Sequence, residues 1–188
     1  IHEALAPHPA SPYGASKLAG EGYCSAYYRT FGVETVALRF GNVYGPGSAR
    51  KDSVIAKFIK QAFGGENLEI YGNGTQTRDF IYITDLIKAI ILAAYAPGIG
   101  GETFQVATSC EHTINEVADL IKQEMKARHG IDVSITYGQS RLGDVMRNYS
   151  DTSKAERLLA WKSEVGLSQG IEKVVSWFWG QKALQLEE

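Results

Sequence analysis

The sequence predicts an α/β protein, and two observations support that prediction. Short apolar segments bounded by Gly, Pro and Asn turns are typical of strands, while apolar residues at helical spacing are typical of helices. The two kinds of segment alternate along the 188 residues, as in proteins whose helices cover a sheet. The predicted strands are 33–40, 68–71, 80–83, 103–107 and 133–137. The predicted helices are 12–31, 53–63, 84–95, one beginning at 113, 153–161 and 168–184.

The first predicted helix begins at Pro12 or Tyr13 and ends before Gly32, a residue that often follows a helix. Its aromatic residues suggest that one face is buried against other helices. These residues are Tyr23, Tyr27, Tyr28 and Phe31.

The later helices have capping signals. Either Thr84 or Asp85 can cap helix 84–95, which is apolar nearly all round and is therefore expected to be deeply buried. Residues 113–116 form a Thr-x-x-Glu capping box. Asp151 or Ser153 can cap the helix that follows.

The composition is that of an ordinary globular protein, with 44% apolar and 21% charged residues and a net charge of −2. There is no long run of like charge, so we expect neither a nucleic-acid nor a membrane partner. No secretory leader opens the chain, and Cys24 and Cys110 are isolated, which favours a cytoplasmic protein with reduced thiols. The four histidines lack metal-ligand spacing, so no metal site is predicted.

Tyr13 and Lys17 are four residues apart in a predicted helix, which places them one turn apart on one face. An ammonium near a phenol favours the phenolate, so such a pair can serve as a general base and acid. The same spacing also occurs on solvated helix surfaces, and the pair alone does not decide between the two interpretations.

Three further blocks follow the Ser-Pro-Tyr-Gly-Ala-Ser-Lys segment at 11–17. They are Arg-Phe-Gly-Asn-Val-Tyr-Gly-Pro-Gly at 39–47, Ile-Tyr-Gly-Asn-Gly-Thr-Gln-Thr-Arg-Asp-Phe-Ile-Tyr-Ile-Thr-Asp at 70–85, and Arg-Leu-Gly-Asp at 141–144. In this order, over essentially the whole chain, they resemble the extended short-chain dehydrogenase/reductase family. The resemblance is greatest to nucleotide-sugar epimerases and dehydratases of the UDP-glucose 4-epimerase type.

This resemblance implies a Rossmann-like, doubly wound fold with NAD as cofactor and a UDP- or dTDP-sugar as substrate. Tyr13 would take the proton of the sugar hydroxyl, Lys17 would hold the nicotinamide ribose, and Phe40 would adjoin the cofactor. The residues implied to bind the substrate are Asn42, Leu68, Glu69, Tyr71, Arg78, Arg141, Asp144 and Asn148.

Within that set, the resemblance implies separate roles. Asn42 would lie near the diphosphate, 68–71 along the base, and Asp144 near the nucleotide ribose. Arg78 and Arg141 would bind the diphosphate, a task that suits guanidinium groups. Asn148 would stand beside the sugar, where a residue smaller than Tyr would admit an N-acetyl group.

Structural interpretations of the same residues remain open. Arg78 could pair with Asp79 or Asp85, and Arg141 with Asp144, as common surface ion pairs. Tyr71 and Tyr82 could be core or edge aromatics instead of ligand contacts. Asn148 could be only a loop residue.

The glycine-rich turn that binds NAD phosphates is expected upstream of the Tyr/Lys pair, and no Gly-x-x-Gly-x-x-Gly occurs in the sequence. Because the chain also begins at Ile1, we expect the C-terminal part of a longer protein, without the first nucleotide-binding strands and inactive alone. On this view 1–48 is a remnant of the NAD-binding domain. Residues 49–188 mainly form a small mixed α/β substrate domain, with 79–108 packing back on the NAD-binding sheet.

The resulting expectation is a fragment of an NAD-dependent nucleotide-sugar 4-epimerase that forms a homodimer when complete. A dehydratase or decarboxylase of the same family is the alternative enzyme. A non-catalytic nucleotide-sugar binding module, or a partly native degradation product, is the alternative outside catalysis.

Overall fold

A computed structural model describes residues 1–141 and 143–185, with side chains as far as 181. The helices are α1 Pro12–Phe31, α2 Val54–Phe63, α3 Ile83–Tyr95, α4 Ile114–His129, α5 Ser153–Leu159 and α6 Leu167–Gln185. The strands are β1 Ala37–Phe40, β2 Asn42–Tyr44, β3 Leu68–Tyr71, β4 Thr77–Arg78, β5 Phe80–Tyr82, β6 Thr103–Val106, β7 His112–Thr113 and β8 Ile135–Gly138. The α/β class is confirmed.

The described strands pair two by two. β1 is parallel to β6, β2 to β5 and β3 to β8, and each parallel partner is reached through at least one helix. β4 and β7 form a short antiparallel pair. Gly41 separates β1 from β2, and a β-carbon there would lie 3.0 Å from the carbonyl oxygen of Asp79. The missing side chain therefore lets β1 and β2 turn close to the segment that begins β5.

The larger core lies where α2, α4 and α6 pack on β3 and β5. The residues predicted from helical spacing to face inward on α4 are all buried, and both bonds of its capping box form. The buried α4 residues are Ile114, Val117, Ala118, Ile121 and Met125. The inward face predicted for α6 is also confirmed, with Ile171, Val174, Val175 and Phe178 buried.

A second core joins α3 and α5 to β5 and β6. Phe104 on β6 and Ile81 on β5 have no appreciable exposure, and Trp161 covers them from beyond α5. The Trp161 indole donates a hydrogen bond to the carbonyl of Asp85 at 2.9 Å. α5 contributes Ala155 and Leu159, and this core has fewer buried residues than the larger one.

Two expectations about buried helix faces are wrong for the described residues. No residue of α1 is buried, and Tyr23, Tyr27 and Phe31 are exposed; Tyr28 is half-buried against Gly100 and Gly101. On α3 only one face packs on β5, β2 and α5. Its other face exposes Ile87, Ile90, Ile91, Leu92 and Tyr95. An apolar composition gives the tendency to be buried, but the neighbours decide whether burial occurs.

The capping expectation at Asp85 is also wrong, because α3 begins at Ile83 and has no side-chain cap. Asp85 is fully buried and instead accepts hydrogen bonds from the backbone N–H groups of Glu164 and Val165, both at 2.9 Å. It thereby ties α3 to the segment that leads into α6. At α5, Asp151 accepts from the Ser153 N–H at 2.9 Å, as expected of a capping carboxylate, although the helix N-cap residue is Thr152.

None of the described helices is both long and apolar enough to span a bilayer.

Two glycines on α6 allow a matched test of its packing. A β-carbon at Gly170 would lie 2.0 Å from Tyr44 Oη, whereas one at Gly180 would meet nothing within 4 Å among the described residues. We expect Gly170→Ala to lower the free energy of unfolding by about 1–3 kcal/mol through overpacking. Gly180→Ala should raise it by as much as about 1 kcal/mol, the ordinary helix preference of alanine. Urea unfolding of both variants measures this, and equal effects would contradict the close approach of α6 to Tyr44.

Candidate functional site

A cavity of about 1020 Å³ brings most of the predicted site residues together. Two of them stand at strand ends, Phe40 on β1 and Tyr71 on β3. The predicted residues that line the cavity are Tyr13, Lys17, Phe40, Asn42, Glu69, Tyr71, Arg78, Arg141 and Asp144. Residues far apart in the sequence therefore share one concave surface, as expected of a ligand site.

Tyr13 and Lys17 form one wall of the cavity at the start of α1. Pro12 is the first helical residue, and Ser11 Oγ accepts a hydrogen bond from the Gly14 N–H at 3.1 Å, so the helix begins where the sequence predicts. Lys17 Nζ lies 5.2 Å from the centre of the Tyr13 ring. Tyr13 is 72% exposed.

An ion pair fixes α1 relative to β1. The Glu21 carboxylate accepts two hydrogen bonds from Arg39, from Nε at 2.8 Å and from Nη2 at 2.7 Å. Thr35 adds a hydrogen bond to the carbonyl of Cys24 at 2.8 Å. Because α1 buries no residue, these polar contacts and the packing of Tyr28 set its position, and with it the position of Tyr13.

Two cations contact the Tyr71 ring in the opposite part of the cavity. Lys57 Nζ lies 4.1 Å and the Arg141 guanidinium carbon 4.2 Å from the ring centre. Both distances fit cation–π contacts. Tyr71 therefore lines the cavity, and its contact with a ligand stays a prediction.

Lys57 was not among the residues predicted from the sequence, since an isolated lysine on a helix gives no signal. Its ammonium donates to Glu69 Oε2 at 2.8 Å. Burial lowers the pKa of Lys57, but its contacts with Glu69 and Tyr71 outweigh burial, so the pKa lies above the usual lysine value. The same hydrogen bond lowers the pKa of Glu69. Both groups are therefore charged at neutral pH.

The alternation of β3 divides the predicted base-binding segment between two surfaces. Glu69 and Tyr71 line the cavity and are half-buried, whereas Leu68 and Ile70 are fully buried in the larger core, with Ile70 also bordering the cavity. Leu68 has no exposed surface, so neither its side chain nor its backbone is open to a ligand in this structure.

The Arg78 side chain is bonded to other groups of this chain. It forms an ion pair with Asp144 and donates to the backbone carbonyls of Thr77 and Val145. The alternative pairings of Arg78 with Asp79 or Asp85, and of Arg141 with Asp144, are not the ones observed. Arg78 and Asp144 thus meet in the cavity wall, while Arg141 remains on Tyr71.

Asp79 is a buried carboxylate whose role the sequence did not indicate. Its oxygens accept hydrogen bonds from the Thr108 N–H at 2.8 Å, the Thr108 hydroxyl at 2.6 Å, the Ser109 N–H at 3.1 Å and the Ser150 N–H at 3.3 Å. Asp79, which directly follows Arg78, is thereby bonded to two loops, one at residues 108–109 and one at residue 150. The acidic residue was visible next to Arg78, but nothing in the sequence said which backbone groups would reach it.

Two predicted or candidate residues lie elsewhere. Tyr82 is buried in the larger core, edge-on to Tyr44, and burial raises its pKa. Asn148 is half-buried and is not among the residues lining the cavity, so its role beside a sugar stays a prediction. No group of three or more His, Cys, Asp or Glu residues within the described ranges is arranged to hold a metal ion.

The sequence profile of the NAD dependent epimerase/dehydratase family matches residues 1–107. Over 172 residues, 90% of this chain, the sequence is 40% identical to a Methanocaldococcus jannaschii protein assigned as a UDP-glucose 4-epimerase. It is 33% identical over 181 residues to a UDP-glucose 4-epimerase of Mycolicibacterium smegmatis, and 32% identical over 180 residues to dTDP-glucose 4,6-dehydratase 1 of Escherichia coli. The matches cover 54%, 55% and 49% of those proteins, so the chain spans about half the length of its relatives.

Solved structures agree with these matches. The fold superposes on UDP-glucose 4-epimerase of Thermotoga maritima, solved with UDP-glucose, with a TM-score of 0.89 and 33% identity over 98% of this chain and 58% of that one. It superposes on UDP-glucuronic acid 4-epimerase of Bacillus cereus, solved with UDP-glucuronic acid and NAD, with a TM-score of 0.86 and 34% identity over 96% of this chain and 56% of that one. The Rossmann-like fold expected from the resemblance is confirmed.

A pH test follows from the ion pair between Glu111 and Arg147 near the cavity. Hydrogen bonds from Arg147 and then from Thr77 lower the pKa of Glu111 from 4.5 to about 2. Because the folded-state pKa is depressed, the stability that this pair contributes is present above about pH 4.5 and is lost as the pH falls through about 2. NMR titration of the Glu111 carboxyl should show the low pKa. Arg147→Gln should move it back toward 4.5, and an unchanged pKa in that variant would contradict the assignment.

Proposed function

The chain belongs to the NAD-dependent epimerase/dehydratase family, and we propose that it supplies the Tyr/Lys pair and the nucleotide-sugar site of a UDP-sugar 4-epimerase. One observation carries the proposal: a single cavity joins Tyr13 and Lys17 to Tyr71, Arg78 and Arg141. A general base and a set of cationic and aromatic groups are the two things that oxidation of a bound nucleotide sugar needs.

The aromatic and cationic part of the cavity suits the nucleotide diphosphate. Arg141 presents a guanidinium group to the cavity without an ion-pair partner among the described residues, and a guanidinium fork suits diphosphate oxygens. Tyr71 offers an aromatic ring of the kind on which nucleotide bases stack. Asp144, already in the cavity wall beside Arg78, is an acceptor for ribose hydroxyls.

The opposite wall suits the reacting sugar. Tyr13 would accept the proton of the sugar 4-hydroxyl while the C4 hydride passes to NAD, and would return it to the same oxygen when the hydride comes back. Return of the hydride to the opposite face of the keto carbon would invert C4. Lys17, beside the Tyr13 ring, would orient the ring and hold the nicotinamide ribose. Asn42 also lines the cavity and would position the sugar next to the diphosphate.

The residues present fit the nicotinamide end of NAD. Phe40 is 49% exposed on the same cavity wall as Tyr13, which leaves an open aromatic surface beside the base. NAD, when bound, supplies the hydride acceptor. Tyr13, Lys17 and Phe40 would border it, and all three belong to α1 and β1, the part of the chain that we propose as a remnant of the NAD-binding domain, residues 1–48.

The remaining finer assignments are also proposals. Residues 49–188 would form mainly the substrate domain, although 79–108 pairs with 37–44 through β5 and β6. The exposed aromatic face of α1 would contribute to a homodimer of the complete protein. A cytoplasmic location would keep the exposed Cys110 thiol and the half-buried Cys24 thiol reduced.

Two alternatives remain. The similarity to an Escherichia coli dTDP-glucose 4,6-dehydratase keeps a dehydratase or a decarboxylase as the alternative enzyme. Conversion of a UDP-sugar to its C4 epimer by a complete protein containing this chain would favour the epimerase, and loss of water or carbon dioxide would favour the alternatives. Binding of UDP by a complete protein that binds no NAD would favour a non-catalytic module.

Calorimetric titration with UDP tests the nucleotide site directly. We expect the chain to bind UDP, and Arg141→Ala to weaken binding by about tenfold or more, because a hydrogen bond to a charged group contributes about 1.5–3 kcal/mol. Arg157→Ala removes an exposed arginine remote from the cavity and serves as the matched control. No UDP binding, or equal affinity in both variants, would be evidence against the site.

A second titration tests the cofactor. Because the sequence contains no Gly-x-x-Gly-x-x-Gly turn for the NAD phosphates, we expect these 188 residues to show no tight NAD binding even when UDP is bound. Calorimetry or fluorescence of added NADH measures this. Tight, stoichiometric binding would show that the nicotinamide end is sufficient and would overturn the expectation.

A further inference from the structure

A segment without helix or strand, residues 143–151, carries Asp144 to the cavity. We call it the 143–151 segment. Val145 and Met146 within it are exposed, so its position does not come from burial of apolar side chains. Its position must come from hydrogen bonds and ion pairs, and these can be followed individually.

The 143–151 segment is attached to β4 by contacts at three successive residues. Asp144 pairs with Arg78, the carbonyl of Val145 accepts from Arg78, and the carbonyl of Met146 accepts from the Thr77 N–H at 2.9 Å. Near its other end, the Ser150 N–H donates to the buried Asp79. The segment therefore runs along the strand that carries Arg78.

Glu111 joins the same two elements from outside the cavity. Its oxygens accept from Arg147 Nε at 2.8 and 3.0 Å and from Arg147 Nη2 at 2.5 Å, the two-pronged geometry of a strong guanidinium–carboxylate pair. Glu111 Oε2 also accepts from the Thr77 hydroxyl at 2.8 Å. The Glu111 carboxylate is thus bonded to two elements. It contacts β4 at Thr77, next to Arg78, and the 143–151 segment at Arg147, three residues after Asp144.

Neither Glu111 nor Arg147 lines the cavity. The Arg147 side chain is 66% exposed, whereas that of Glu111 is 27% exposed. An isolated exposed ion pair contributes little to stability. This one, however, adds a side-chain connection between β4 and the 143–151 segment to the contacts of Arg78 and the backbone hydrogen bond between Thr77 and Met146.

We infer that the Glu111–Arg147 pair is a positioning device that holds the 143–151 segment in register with β4. It acts through Asp144 and its contact with Arg78, and it touches no ligand. The consequence for ligand affinity rests on the proposed nucleotide-sugar site, whereas the consequence for the segment itself does not.

Amide hydrogen exchange tests the device without any ligand. We expect Glu111→Gln and Arg147→Gln to accelerate exchange in the 143–151 segment while the circular dichroism spectrum stays that of a folded protein. The matched control is Glu172→Gln, which breaks a comparably exposed ion pair with Arg128 between α4 and α6, away from the cavity. Unchanged exchange of the segment in folded Glu111→Gln would overturn the inference.

UDP titration then tests whether the device acts through Asp144. Glu111→Gln should weaken UDP binding about fivefold, a usual size for indirect coupling. In an Asp144→Ala background, which leaves no side-chain acceptor for Arg78 at this position, the same substitution should change the affinity less than about twofold. An equal loss in both backgrounds would overturn the proposed route. If the unsubstituted chain does not bind UDP, the proposed function fails, and the exchange experiment still decides the positioning role.

Discussion

The buried carboxylate of Asp79 is the constraint on which the arrangement of the site depends. A charge with 2% exposure is tolerated only when hydrogen bonds replace water, and four donors from three residues do so here. Satisfying this one group requires the loop after β6 and the segment before α5 to converge on the start of β5. That convergence brings the 143–151 segment beside Arg78, and so the wall of the cavity that we propose to bind the diphosphate follows from the burial of Asp79.

The two walls of the cavity are held by different kinds of force. Glu69 and Tyr71 stand on β3, whose alternate residues Leu68 and Ile70 are locked in the larger core, so that wall is rigid. α1 buries nothing and is positioned by the Glu21–Arg39 pair and a few further contacts. The proposed base, Tyr13, therefore stands on a helix without buried residues, while Tyr71, the proposed contact of the nucleotide base, stands on a strand packed in the larger core.

The sequence predicted the elements of the fold well where a local signal was complete. The Thr113–Glu116 capping box fixed the start of α4, and helical spacing identified its buried residues correctly. The same reasoning failed on α3, where Ile91 and Tyr95 are exposed although the composition predicts burial. Asp85 was read as a helix cap and instead holds residues 164 and 165. Periodicity identifies an apolar face, but it cannot say which neighbour covers that face or which distant backbone groups a carboxylate will meet.

By itself, the sequence determined the α/β class, the Tyr13–Lys17 spacing and the set of blocks that mark the family, because each depends on residues close together in the chain. Only the tertiary structure decided that Lys57 shares the Tyr71 ring with Arg141, that Arg78 pairs with Asp144, and that Glu111 joins β4 to the 143–151 segment. These contacts join residues 14 to 70 positions apart or belong to side chains without a motif. Their partners are chosen by the pairing of strands and the burial of Asp79, which no local pattern specifies.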